Sequence, residues 1–309
     1  MWKGGSVLRL TGCVLALFSC AVLAQIAFRA ITVTTEPNAA VWLDNVRYGN
    51  ADPSGKFTIK TVGPGAHSLR VRADGFKEVA KPVTAVQKGD IAVPLVKTAD
   101  PAELGFQEAE RLSAVDRQKA IAAYKRVIAM RPGYIDAHVA LARAYSDARD
   151  YENALKAVRD GRKAKAGVAE LSAIEGRIYK ETGDEAKAIA SFKRAITEGR
   201  GFQPEAFTGL GLLYKGRAEG ESGDSDVANE EADYREAAKY LATAVKQLAG
   251  APDGSVVFQL LGLIYEKQKK YREAIALYED YLRTFPESPE APTVRSFITQ
   301  LQKQLAEQP

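Results

Sequence analysis

The sequence predicts a multidomain protein in which a small antiparallel β-sandwich is followed by an all-α superhelix of helical repeats. Between residues 30 and 97, short runs of β-branched and aromatic residues alternate with turn residues. From residue 101 onward the apolar residues recur with a helical period. That helical pattern itself repeats about every 34 residues. A chain of 309 residues is long enough for both units.

Composition excludes most kinds of catalytic chemistry. The chain is 46% hydrophobic and 27% charged, as globular proteins are, and has two His and two Cys. Both cysteines, Cys13 and Cys20, lie in the first 24 residues. The remainder has no thiol for a nucleophile, a disulfide or a metal site, and the sequence has no Ser/His/Asp set in a recognisable pattern. We therefore expect no enzyme, no cofactor and no metal.

Residues 1–24 predict an export signal. Lys3 and Arg9 precede an apolar run that ends at Ala24 in a small-residue cleavage site. Two alternatives use the same residues. Cys20 lies in a segment resembling a bacterial lipobox and would then be lipidated, or residues 10–28 would remain as an uncleaved membrane anchor. All three versions place the rest of the chain in the periplasm or cell envelope.

The charge outside this segment is nearly balanced. Residues 26–97 hold ten basic and six acidic residues, and residues 98–309 hold 31 and 33. This balance gives no support to nucleic-acid binding. Membrane contact is expected only through the N-terminal segment.

Six or seven short strands are predicted in the β region, with turn signals between them. One of these strands alternates clearly, so that Leu69, Val71 and Ala73 should face the core while Arg70 and Arg72 face solvent. The predicted strands cover residues 31–35, 40–43, 57–62, 67–73, 76–83 and 91–96.

The turn residues of this region resemble those of the PEGA domain, a compact β-sandwich module of bacterial and archaeal envelope proteins. Asn45 stands where that family commonly has Gly, and Asn38-Ala39 where it has Glu-Gly. The resemblance covers residues 31–97 and implies a structural or surface-adhesive module. His67 is interpreted as structural, and Trp42 as a core residue. The residues that carry the resemblance are Pro37 to Val41, Leu43-Asp44, Gly49, Gly63 to His67, Gly75-Phe76 and Gly89-Asp90.

Three residues recur at fixed spacing in the helical region: a small residue, a Tyr three places later and an Ala nine places after that. Small residues allow two helices to approach closely, and the aromatic ring fills the space beside them. The pattern resembles the tetratricopeptide repeat. The recurring residues are Ala142, Tyr145 and Ala154; Gly176, Tyr179 and Ala188; Gly211, Tyr214 and a displaced Ala237; and Gly262, Tyr265 and Ala274.

Five such units are predicted, followed by a capping helix over residues 289–309. Residues 217–233 form an insertion with seven acidic residues and one basic residue, predicted to be a solvated loop. A basic run over residues 156–165 lies on a second helix and is interpreted as a solvated outer face. His138 is interpreted as a core residue. The units cover residues 101–134, 135–168, 169–203, 204–250 and 255–288.

The repeat register places four cations on the concave surface that first helices form in such arrays. Arg143, Arg177, Lys180 and Lys215 would make a basic stripe for a carboxylate-bearing or acidic protein partner. Ordinary solvated charges, compensated by nearby acids, are the alternative. The sequence thus predicts a non-catalytic protein-interaction scaffold of the cell envelope. A carbohydrate or surface-layer binding protein acting through Trp42 of the β module is the second hypothesis.

Overall fold

A computed structural model of the protein describes residues 29–220, 227–248 and 250–307. Within these ranges, a β-sandwich of two sheets is followed by eleven helices, most of which pack in consecutive pairs. The predicted fold class is confirmed. The proposed export segment, including Cys20, lies outside the described residues.

The β-sandwich contains seven short strands among the described residues. They are β1 (Arg29–Thr34), β2 (Ala40–Leu43), β3 (Val46–Asn50), β4 (Lys56–Val62), β5 (His67–Arg72), β6 (Val79–Val83) and β7 (Gly89–Ala92).

The strands form one sheet in the order β4-β1-β7 and a second in the order β3-β2-β5-β6. Four of the five strand pairs are antiparallel, whereas β1 and β7 are parallel. The sandwich is therefore antiparallel apart from this one pair. The reason is that the chain crosses from β6 in the second sheet to β7 in the first, and enters the first sheet in the direction of β1.

Strand β3 is not predicted by the sequence pattern. It pairs with β2 across a tight turn at Asp44 and Asn45, whose φ angles are 50° and 65°. Two successive residues with positive φ are typical of a two-residue hairpin, and Asp and Asn tolerate this conformation better than most residues. Asn45 thus adopts a positive φ, a conformation that Gly also favours.

The core of the sandwich lies between the two sheets. Leu69 and Val71 are fully buried and Ala73 is 8% exposed, as their alternation predicts. Ile31 and Val41, from the two facing sheets, are also fully buried.

The helices follow without any intervening strand among the described residues. They are α1 (Pro101–Ser113), α2 (Arg117–Met130), α3 (Ile135–Asp147), α4 (Tyr151–Ala164), α5 (Ala169–Glu181), α6 (Glu185–Glu198), α7 (Pro204–Ala218), α8 (Val227–Leu248), α9 (Gly254–Lys267), α10 (Tyr271–Thr284) and α11 (Ala291–Ala306).

The second helices of the first three pairs begin in the same way. Asp116, Asp150 and Asp184 are N-cap residues, and each side chain accepts a hydrogen bond at 3.0–3.3 Å from the backbone N–H three residues later. An N-cap carboxylate satisfies one of the free N–H groups at a helix start. The 34-residue spacing of these caps explains why the hairpins recur in register.

The acidic insertion is only partly a loop. Residues 227–233 belong to α8, which is 22 residues long, so the prediction of a loop is wrong for this part. Arg217 on α7 lies 3.2 Å from the carboxylate of Asp233, which joins the two helices at the insertion. Residues 221–226 lie outside the described residues.

Candidate functional site

The first helices of the repeats line the inner surface of the array. Helix α5 contacts both α3 and α7 directly, although each of these belongs to a different pair. In an array of helical hairpins such contacts between first helices define the concave side. All four predicted groove cations lie on these three helices.

Arg143 spans the concave surface. Its guanidinium on α3 donates hydrogen bonds of 2.7 and 3.2 Å to the two carboxylate oxygens of Glu205, at the start of α7. The charge of Glu205 raises the pKa of Arg143 further above its usual range, against the opposing effect of burial. Burial alone would raise the pKa of Glu205, but Arg143 lowers it. This bidentate pair links two helices that are two repeats apart.

Arg177 on α5 has incompletely satisfied hydrogen-bonding groups. Its Nη2 atom lies 2.9 Å from a carboxylate oxygen of Asp147 on α3. The Nε and Nη2 atoms are both buried and form no hydrogen bond among the described residues, so Asp147 contacts Nη2 only as an ion pair. Unsatisfied guanidinium N–H groups are costly in a buried position. The Arg177 side chain is 29% exposed, so a further acceptor would have to approach its exposed part.

Lys180 and Lys215 are also paired within the chain. Lys180 Nζ lies 2.8 Å from the carboxylate of Glu181, and Lys215 pairs with Glu219 one helical turn later. Each of the four groove cations therefore has an acidic neighbour within the chain, as the alternative of compensated charges expects. Glu205 and Glu219, which carry half of this compensation, were not identified from the sequence, because Glu205 lies two repeats away from its partner.

The first helix of the last repeat exposes two apolar side chains. Leu263, a predicted groove position on α9, is 52% exposed, and Val256 on the same helix is 58% exposed. Residues seven apart on a helix share a face, so these two side chains form one apolar strip. Sequence reasoning placed Leu263 in the groove but did not single out Val256.

Arg70 and Arg72 do not face solvent, contrary to the sequence prediction. Their side chains are 21% and 11% exposed because the outer face of the second sheet packs against the helical array. Both guanidinium groups lie 3.3–3.4 Å from the carboxylate of Asp136, at the start of α3. Arg72 also donates a 2.7 Å hydrogen bond to Glu78. Alternation placed these residues correctly on the outer face, but it does not reveal what covers that face.

Trp42 lies on this outer face and outside the core. The Arg70 and Arg72 guanidinium groups stand 4.8 and 5.4 Å from its ring centre. Arg72 also lies 4.6 Å from the ring of Phe106 on α1. The indole is half-buried beneath two cations. It points to the opposite face from the buried Val41 and Leu43, because successive side chains of a strand alternate between the two faces.

Two buried polar side chains of α1 complete this contact. Gln107 accepts a 2.8 Å hydrogen bond from the Gly75 N–H and donates one of 2.8 Å to the Phe76 carbonyl. Glu103 accepts a 2.8 Å hydrogen bond from the Glu78 N–H. These bonds satisfy backbone groups of the β module with side chains of the first helix, as a buried interface requires.

The β module also reaches the far part of the array. Tyr48 on β3 donates a 3.2 Å hydrogen bond to the Leu248 carbonyl at the end of α8. Val46 is buried in the same cluster as Leu248. A β-carbon added to Gly250 would collide with Thr61 on β4. In between, Asn45 donates a 2.8 Å hydrogen bond to Glu170 on α5. The module therefore contacts the array from its first pair to its fourth.

Both histidines occupy structural positions. His67 Nδ1 lies 2.5 Å from Asp44 and its Nε2 lies 3.0 Å from the Gly63 carbonyl, which ties two turns of the sandwich together. His138 is 4% exposed, with Nε2 2.8 Å from the Pro132 carbonyl. Across residues 29–220, 227–248 and 250–307, no group of three or more His, Cys, Asp or Glu side chains is arranged to hold a metal ion. Within those same ranges, no helix is long and apolar enough to cross a bilayer.

Comparison with known families supports the repeat interpretation. Models of the tetratricopeptide repeat match residues 111–178, 169–198 and 225–289. Comparison with curated protein sequences finds no match.

Solved structures of helical-repeat proteins are similar to this chain. Yeast Tom70 is 14% identical, with a TM-score of 0.50 over 66% of this chain and 40% of Tom70. MamA is 20% identical, with a TM-score of 0.41 over 60% of this chain and 92% of its own. PilW, a type IV pilus biogenesis factor, is 16% identical, with a TM-score of 0.46 over 67% of this chain and 93% of its own. At these identities the similarity concerns the fold alone. The family matches alone show tetratricopeptide repeats, over residues 111–198 and 225–289.

Proposed function

We propose that the protein is a non-catalytic scaffold of the bacterial cell envelope that binds a partner peptide or protein on the concave surface of its repeats. The observation that carries the proposal is the presence of two unsatisfied features on that surface. Arg177, whose side chain is 29% exposed, has a guanidinium that the acceptors of the described residues do not fully satisfy, and α9 exposes the apolar strip of Val256 and Leu263.

These features define the chemistry of the partner. A carboxylate of the partner would bind at Arg177, and an apolar side chain would cover Leu263. A partner acid must compete with an internal acid at each of the four cations: with Asp147 at Arg177, and with Glu205, Glu181 and Glu219 at Arg143, Lys180 and Lys215. The proposed partner is thus mixed in character, with an acidic group and an apolar anchor, and the basic stripe alone does not define it.

The proposed location rests on the N-terminal sequence. We propose export by residues 1–24, with cleavage after Ala24, lipidation of Cys20 and retention as an anchor as the three possible outcomes. The β-sandwich would be a PEGA-like module. It supports the array through the Arg72 and Tyr48 contacts.

The carbohydrate-binding alternative loses its principal residue. A sugar-binding aromatic ring needs an open face, whereas the Trp42 ring is covered by Arg70 and Arg72 at the contact with the array. We therefore favour the scaffold function.

Binding on the concave surface can be tested with peptides that are selected from a random library for binding to the full chain. Fluorescence anisotropy measures their affinity. Leu263→Glu should weaken binding about tenfold or more, because it removes an apolar anchor. Val115→Glu is the matched control, since Val115 is 81% exposed in the turn between α1 and α2, away from the concave surface. Equal weakening by both variants would contradict the site.

The charged part of the site needs its own pair of variants. Arg177→Glu should weaken the binding of the same peptides, whereas Lys163→Glu, on the exposed outer helix α4, should leave their affinity unchanged. Arg162 is unsuitable as an outer-face control because its guanidinium hydrogen-bonds to Glu175 and Ser172. If Arg177→Glu leaves affinity unchanged while Leu263→Glu reduces it, the partner carboxylate is disproved and the apolar anchor stands.

A further inference from the structure

The outer face of the first three helical pairs carries a strong excess of positive charge. Helices α2, α4 and α6 together hold eleven basic and four acidic residues. The corresponding helices of the next two pairs, α8 and α10, hold five basic and seven acidic residues. Helix α2 alone has four basic residues and no acidic residue. The charge is therefore concentrated at one end of the convex side.

Much of this charge is not neutralised within the chain. Within the described part of the protein, five exposed cations of these helices form no ion pair, in contrast to the four paired cations of the concave side. The five are Arg117, Lys125, Arg126, Arg159 and Lys193.

The other residues exposed on this face are poorly suited to a protein partner. They are mainly Ala, Gln, Asn and Thr, and Met130 is the one large apolar side chain exposed on α2, α4 and α6 among the described residues. The core of a protein interface is enriched in aromatic residues and depleted of Lys. An anionic lipid surface needs no such core, because each nearby Lys or Arg adds attraction on its own.

We propose that this basic face, formed by α2, α4 and α6, binds the headgroups of an anionic membrane surface. The proposal is independent of the concave site, and only the choice of lipid over nucleic acid rests on the proposed export. Bound in this way, the array would lie with its first three pairs against the bilayer. The concave surface, on the opposite side, would stay open to a partner.

The test measures co-sedimentation of the full chain with vesicles of equal parts phosphatidylcholine and phosphatidylglycerol, and with vesicles of phosphatidylcholine alone. A triple variant, Arg117→Glu, Arg126→Glu and Arg159→Glu, should lower affinity for the anionic vesicles about a hundredfold at low salt. The matched control changes the net charge by the same amount, but on α8 and α10, through Arg235→Glu, Lys239→Glu and Arg272→Glu. Residues 1–28 are identical in all three proteins, so differences in binding come from the helices.

We expect the unaltered protein to prefer anionic vesicles, and we expect salt to weaken this preference. The triple variant should lose the preference, and the control variant should keep it. Equal binding to both vesicle types would overturn the proposal. An equal effect of the control variant would do the same, since net charge and not this face would then be responsible. Binding of duplex DNA in preference to anionic vesicles would reassign the face to nucleic acid.

Discussion

In two of the hairpins, a glycine on the first helix sets the distance to the second helix. A β-carbon added to Gly176 on α5 would lie 2.6 Å from the ring of Phe192 on α6, and one added to Gly211 on α7 would lie 2.5 Å from Leu241 on α8. Phe192 is 1% exposed and Leu241 is fully buried, so neither has room to move. Spacing in the sequence was sufficient to find these glycines, because the constraint is local to one hairpin and recurs along the chain.

Gly176→Ala should therefore destabilise the protein, although Ala is normally the better helix residue. We expect a loss of about 1–3 kcal/mol in the free energy of unfolding from overpacking against Phe192. Gly133→Ala is the control, since a β-carbon there meets no atom within 4 Å. Urea unfolding followed by circular dichroism measures both. An increase in stability for Gly176→Ala would show that α5 and α6 are not as close as described.

At the scale of elements, a buried polar network joins α4, α5 and α6. Glu175 on α5 accepts hydrogen bonds from Arg162 on α4 at 2.8–2.9 Å, from Ser191 on α6 at 3.1 Å, and from Arg194 on α6. Burial would raise the pKa of Glu175, but the hydrogen bonds and charges of the two arginines lower it below its usual value. The sequence predicted the three helices well, since each has its own period and cap. It could not show that a carboxylate would occupy the space between them.

The lowered pKa of Glu175 gives a prediction with a definite sign. A carboxyl whose pKa is lower in the folded than in the unfolded state stabilises the protein above its unfolded pKa, and this contribution is lost as the pH falls through the folded value. Glu175→Gln should be clearly less stable than the unaltered protein at about pH 6, and the difference should shrink towards about pH 3. Denaturant unfolding at a series of pH values measures this difference. A difference that does not depend on pH would mean that Glu175 is not ionised in the network.

At the scale of the whole molecule, the β module and the array are joined through contacts that lie far apart in the chain. Arg72 binds Asp136 across 64 residues, and Tyr48 binds the Leu248 carbonyl across 200. Period and turn signals predicted both units because they depend on neighbouring residues. The docking of one unit on the other depends on which polar faces meet. The alternation of polar and apolar residues along a strand predicts only that such a polar face is exposed to solvent.

Arg72→Glu should disrupt this docking. The new carboxylate would be buried against Glu78, Asp136 and Glu110, and breaking a buried ion pair costs about 3–5 kcal/mol. Arg111→Glu is the matched control, because the Arg111 ion pair with Asp74 also joins the two units but is more than half exposed, and such pairs contribute about 1 kcal/mol or less. Hydrogen exchange of α1 and of residues 250–254 should accelerate in the first variant only. Unchanged exchange in both regions would contradict a coupled module.

Hydrogen exchange of the full chain with and without a selected peptide tests binding on the concave surface. We expect slower exchange in α5, α7 and α9 when the peptide is bound, with β2 and β5 unchanged. Protection confined to the β strands, with the first helices unchanged, would disprove binding on the concave surface and place the binding site on the β module.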